Sequence, residues 1–145
     1  MAEFSWPIRV YYEDTDNGGL VYHANYLKFM ERARTEWLRE RGVEQDALVK
    51  QEGLIFAVCS AQLDFIKPAR FNQMLAVSVK VAKAGKASLS FEQTVCLTNN
   101  NEGGTGVKSG LLLCQGEIKI ACLDASNLKP RAIPASLRQE ILGDD

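Results

Sequence analysis

One strand-like run, one long amphipathic helix and then four more strand-like runs predict an α+β fold. Two periodicities and their order carry that prediction. Apolar residues recur every three or four positions in 25–41, the spacing of a helix face. They alternate in 73–84 and again in 89–98, the spacing of strands with one face covered. Strands that follow a single helix and are joined by short turns form an antiparallel sheet, and about five of them can wrap one helix so that each covers the other's apolar side. A chain of 145 residues, 46% of them apolar, suffices for one such domain with its own core, spanning 1–145.

The elements follow in order. Residues 4–12 are rich in β-branched and aromatic side chains and read as the first strand, with Pro7 near its start. Glu13-Asp14-Thr15-Asp16-Asn17-Gly18-Gly19 forms a turn, and 21–24 a short helical turn. In the helix 25–41, Tyr26, Met30, Ala33 and Trp37 mark the apolar face, and Lys28, Glu31, Arg32, Arg34 and Glu36 the opposite one. Asn25 is placed to cap its start, and Gly42 to end it. Residues 45–52 read as a second, short helix closed by Gly53. Strands are expected at 54–67, ended by Pro68, then at 73–84, 89–98 and 111–123. Gly85-Lys86 is a hairpin turn, 99–110 a long mobile loop rich in Asn and Gly, and 136–142 a terminal helix.

The net charge of −1 gives nucleic acid no electrostatic reason to bind. Cys59, Cys96, Cys114 and Cys122 are widely spaced and lie far from His23, the sole histidine, which argues against a zinc site. Each sits in an apolar run and reads as a buried free thiol, suited to a reducing cytoplasm. No run is apolar enough to span a membrane, and the first residues lack the pattern of a signal peptide.

The chemistry concentrates at the strand-to-helix turn. Gly18-Gly19 allows a sharp bend and close approach to a ligand. A carboxylate there stands near the positive end of the helix dipole and its unpaired N–H groups. That combination of an acid/base group and an electrophilic backbone site is what acyl transfer needs. Alternation in an extended run points Asp14 and Asp16 the same way, so spacing does not choose between them, and Glu13 is a third contender. On position alone an aspartate before glycine is more often a turn cap than a catalyst. Gly103-Gly104-Thr105-Gly106 is followed by Lys108-Ser109, but Val107 separates the glycine from the lysine and no helix pattern follows, so it does not read as a phosphate-binding loop.

Asp14-Thr15-Asp16, then Gly18-Gly19-Leu20-Val21-Tyr22-His23-Ala24-Asn25-Tyr26 and Phe29-Met30-Glu31-Arg32-Ala33-Arg34, resemble the signature of the hot-dog-fold acyl-CoA thioesterases. More closely they are similar to the tol-pal-associated branch, relatives of 4-hydroxybenzoyl-CoA thioesterase. The similarity runs from about residue 6 to 134, with looser matches at 65–70 and 128–134. It implies the hot-dog fold and hydrolysis of acyl-CoA to free acid and coenzyme A, without metal or redox cofactor. It places the catalytic carboxylate, as general base or nucleophile, at Asp16, and the oxyanion donor at the backbone N–H of His23. The His23 imidazole either orients water or the thioester, or packs at a subunit interface. Asp14 and Glu13 become supporting or solvated groups.

The resemblance further implies a homodimer, or a homotetramer built from it, in which the strand at 54–67 pairs with its copy. Gly19, Tyr22 and Asn25 flank the expected substrate site. Coenzyme A carries phosphates and calls for a basic rim, for which Lys67 and Arg70 are the first candidates, with Lys86, Lys129 and Arg131 behind them. Acyl carrier protein is an alternative carrier of the thioester. Two rival functions are a non-catalytic binding module of the same fold and a dehydratase. The dehydratase is disfavoured because His23 precedes the helix that would have to supply its acidic partner.

Overall fold

A computed structural model of the chain describes residues 4–98 and 109–143. The elements are β1 (Phe4–Arg9), α1 (Asn25–Glu40), α2 (Gln45–Glu52), β2 (Leu54–Phe65), β3 (Met74–Ala84), β4 (Ser88–Thr98), β5 (Ser109–Asp124) and α3 (Ala135–Leu142). The five strands form one sheet in the order β1-β3-β4-β5-β2, antiparallel at every pairing. This is the α+β arrangement the periodicities predict.

The long helix α1 supplies the core. Phe29, Met30, Ala33, Trp37 and Leu38 are buried and cluster with Leu75 and Val77 of β3 and with Leu89, Phe91 and Val95 of β4. Trp37 meets Phe91 edge to face, ring centroids 5.4 Å apart. Each such large side chain removed from water contributes roughly 1.5–3 kcal/mol before entropy is counted. The helix stops at Gly42, whose φ of +84° is open to glycine and strained for other residues. Arg41 then lies over the Trp37 ring at 4.1 Å and donates to the carbonyl of Ile141, tying α3 to the end of α1.

Four expectations are corrected. β1 ends at Arg9 rather than at Tyr12, because past Arg9 the pairing turns irregular, with Val10 bonded to Asn72 and Gln73 before β3, and 12–14 coil into a 3₁₀ turn. Arg34 belongs to the buried face of α1, four residues beyond Met30 and three before Trp37. Its guanidinium donates to Gln93 Oε1 at 2.9 Å, and Gln93 Nε2 donates to the carbonyls of Met30 and Ser78. Burial pulls that guanidinium below its ordinary value. Cys59 is exposed rather than buried, because a register break between Val58 and Ser60 interrupts edge strand β2 there. Cys96, Cys114 and Cys122 are buried as expected, and burial pushes the Cys114 thiol up to about 12. Finally, Ser109 and Gly110 belong to β5, and the rest of the expected loop, 99–108, lies outside the described residues.

β2 is an outer strand of the sheet, with β5 on one side. Val58, Phe65 and Ile66, along it and just past its end, are about half exposed. The chain then turns through Lys67 and Pro68 toward β3, which brings this segment to the N-terminal end of α1.

Candidate active site

The site is assembled from a hairpin, a helix start and the end of β2. The amide of Asp16 donates to the carbonyl of Leu20 at 2.9 Å, and that of Gly19 to the carbonyl of Asp16 at 3.1 Å. Gly19 makes this turn with φ at +76°. The outgoing arm is pinned to the β2–β3 connection, since Val21 N–H donates to Ala69 at 2.9 Å and Phe71 N–H to Gly19 at 3.3 Å. Sequence-distant segments are thus locked together before the helix begins.

Beneath the hairpin lies Asp14. It is 3% exposed, and its carboxylate accepts from the Tyr11 amide at 2.8 Å and from Asn25 Nδ2 at 2.9 Å. Asn25 is therefore not the cap of α1. The capping position is Ala24, in helical conformation, and Asn25 is the first helical residue, with its side chain turned inward to Asp14. The pair ties the strand side of the turn to the helix start.

Asp16 differs. Its side chain is exposed, and Oδ1 accepts from the Gly18 amide at 2.9 Å, so it does act as a turn cap. Among the described residues Oδ2 has no partner. Asp16 lines a cleft of about 290 Å³ together with Leu20, Val21, His23, Tyr26, Phe65, Ile66, Lys67 and Pro68. His23 is exposed in the turn before α1, its ring 6.3 Å from that of Phe65 in an edge-on arrangement. Its backbone N–H donates to no acceptor among the described residues. It stands at the positive end of a 16-residue helix, where an anion is favoured.

Of the residues singled out in the sequence, Asp16, His23 and Lys67 share this cleft. Gly19, Tyr22, Asn25 and Arg70 are not in its lining. Gly19 shapes the turn, and Asn25 is spent on Asp14. Tyr22 is exposed, its ring tilted against His23 at 4.5 Å. Arg70 pairs through its backbone with Leu20, and its side chain is exposed. Of the other basic candidates, Arg131 is engaged with Asp124 and the carbonyl of Glu52. Sequence reasoning missed Phe65 and Ile66 as cleft walls. Their signal was an apolar pair just before Pro68, inside the loosely matched stretch 65–70, which the end of β2 brings beside the helix.

An exposed carboxylate and a residue with an unspent amide before the helix line one cleft, a combination of groups that addition of water or a carboxylate to an acyl group can use. Comparison with known proteins agrees on the class. The model of the thioesterase superfamily matches residues 18–103, and the chain belongs to that family. The acyl-CoA thioesterase YbgC of Haemophilus influenzae is 38% identical over 93% of this chain and 91% of its own. The acyl-CoA thioester hydrolase YbgC of Escherichia coli is 40% identical over 94% of each chain. Among solved structures, a probable thioesterase from Bartonella henselae superposes with a TM-score of 0.78 at 32% identity, covering 92% of this chain and 100% of that one. A 1,4-dihydroxy-2-naphthoyl-CoA thioesterase from Synechocystis superposes with a TM-score of 0.82 over 97% of this chain and 96% of its own. At 19% identity that likeness speaks for the shared hot-dog fold.

Proposed function

We propose that this thioesterase hydrolyses acyl-CoA to a free carboxylic acid and coenzyme A at the cleft beside the start of α1. The observation that carries the reading is the meeting of Asp16 and His23 in one cleft. The Asp16 carboxylate acts on the thioester carbonyl by one of two routes. As general base it takes a proton from water, which adds to the carbonyl carbon. As nucleophile it adds directly, expels the thiolate and leaves a mixed anhydride that water then opens. In both, the negative charge that develops on the carbonyl oxygen is received by the His23 N–H at the positive helix end. Neither route draws on a metal or a redox cofactor. The similarity to the two YbgC enzymes supports coenzyme A as the thiol carrier.

The reading extends to assembly. β2 is an outer strand with apolar side chains half exposed, and an uncovered strand of that kind is a liability in water. Pairing of β2 with a second copy in a homodimer covers it and closes the open side of the cleft at Phe65 and Ile66. The cytoplasm, where acyl-CoA is made and free thiols persist, is the compartment this reading assigns.

The test is hydrolysis of an acyl-CoA panel by the native protein and by Asp16→Asn. The reading requires free thiol from the native protein and near-complete loss in the variant. Hydrolysis unchanged in Asp16→Asn would overturn it. Single turnover in ¹⁸O-water tests for the nucleophilic route, since water that opens the anhydride at the Asp16 carbonyl carries label into that carboxylate, which the general-base route never does.

A further inference from the structure

Tyr26, in the first turn of α1, lines the cleft, yet the residue is only 3% exposed. Its phenolic oxygen accepts the backbone N–H of Ala69 at 3.1 Å. A phenol has one proton to give as well as lone pairs to offer. Among the described residues no acceptor takes the Tyr26 proton. A buried donor without an acceptor is costly, and most such groups in folded proteins are satisfied. The ring itself is fixed by Phe29 at 6.0 Å and Phe65 at 5.5 Å, both edge-on, so the hydroxyl is held in place. Burial also pushes the phenol above its ordinary value, which keeps the proton on. The charged and titratable groups around it are Asp16, His23 and Lys67 in the cleft lining and Cys114 on β5.

We infer that Tyr26 is a catalytic residue, whose hydroxyl donates to the oxygen of the bound thioester alongside the His23 amide. Its contact with Ala69 does separate work, holding the β2–β3 connection against the helix. The inference rests on the thioesterase reading of the cleft. His23 and Tyr26 both line that cleft, and among the described residues neither the His23 N–H nor the Tyr26 O–H has an acceptor, which a developing oxyanion would supply to both. Donors fixed before the reaction act more on the transition state than on the ground state, so their loss falls on kcat more than on KM.

The experiment measures kcat and KM on an acyl-CoA that the native protein hydrolyses, for Tyr26→Phe and for protein carrying 3,5-difluorotyrosine at position 26. The Phe variant should lose about tenfold to a hundredfold in kcat at nearly unchanged KM. Difluorotyrosine keeps the ring and the hydroxyl but makes the phenol more acidic. Its rate should therefore fall as pH rises through the lowered phenol value, at a pH where the native protein is still active. A Phe variant with native kcat, or identical alkaline limits for the tyrosine and difluorotyrosine proteins, overturns the inference. Should Tyr26→Phe fail to fold, the alkaline limits decide alone. Asp16→Asn serves as the separate control: full activity there defeats the thioesterase reading itself, whereas an inactive Asp16→Asn with no Tyr26 effect defeats only this inference.

Discussion

Asp14 and Asp16 stand two residues apart and do opposite things. Asp14, in the 3₁₀ turn, is buried with one oxygen on the Tyr11 amide and the other on Asn25. Asp16, in the glycine turn, is exposed, spends one oxygen on the Gly18 amide and opens on the cleft. The difference teaches that burial commits one carboxylate to the scaffold and leaves the other free for the chemistry proposed above. A buried carboxylate with both oxygens engaged cannot approach a substrate, but it can fix the distance between a strand end and a helix start. An exposed one with an oxygen to spare can react, provided something else holds it in place.

The comparison breaks most visibly if the roles are exchanged. Asp16→Asn should lower kcat by about 10²- to 10⁴-fold with unfolding unchanged, as removal of a general base does; steady-state rates with a urea melt read both. Asp14→Ala should do the reverse in kind. It strands the Tyr11 amide and the Asn25 side chain in a buried place, so stability should fall by roughly 2–4 kcal/mol in urea unfolding. Gly19→Ala sharpens the point about the turn that separates the two. A side chain there meets nothing within 4 Å, so the cost is backbone strain at φ +76°, about 1–2 kcal/mol of stability. Lys67→Ala should matter least. It lines the cleft but is exposed, so KM for acyl-CoA should rise by roughly twofold to fivefold, and the difference should shrink with added salt.

The frame of this molecule is legible in its sequence wherever a period was long enough to read. The helix over 25–41 and the alternating strands over 73–84 and 89–98 fall within a residue or two of α1, β3 and β4. What escapes is set by single contacts. Val10, Tyr11 and Tyr12 continue a strand-like composition, and nothing in them announces that the chain leaves the sheet to bring Asp14 under the helix. Arg34 looks like a surface charge until Gln93, 59 residues away, is found facing it. Asn25 has the composition of a cap, but a buried carboxylate claims its side chain. Cys59 shares the apolar composition of the other cysteines, and only its place on an outer strand at a register break exposes it. In the site, the motif around Asp16 and His23 was readable because both residues lie in one short stretch. The opposite wall, Phe65 to Pro68, arrives through sheet register, and Tyr26 reads as core because it is core, though it also lines the cleft.

The central claim is that the thioester lies between the Asp16 carboxylate and the His23 amide. A crystal structure of Asp16→Asn with an intact acyl-CoA tests it most directly. The account predicts the carbonyl oxygen within hydrogen-bond distance of the His23 N–H and the carbonyl carbon facing residue 16. A thioester seated away from that amide, or with its carbonyl carbon turned from residue 16, would contradict it.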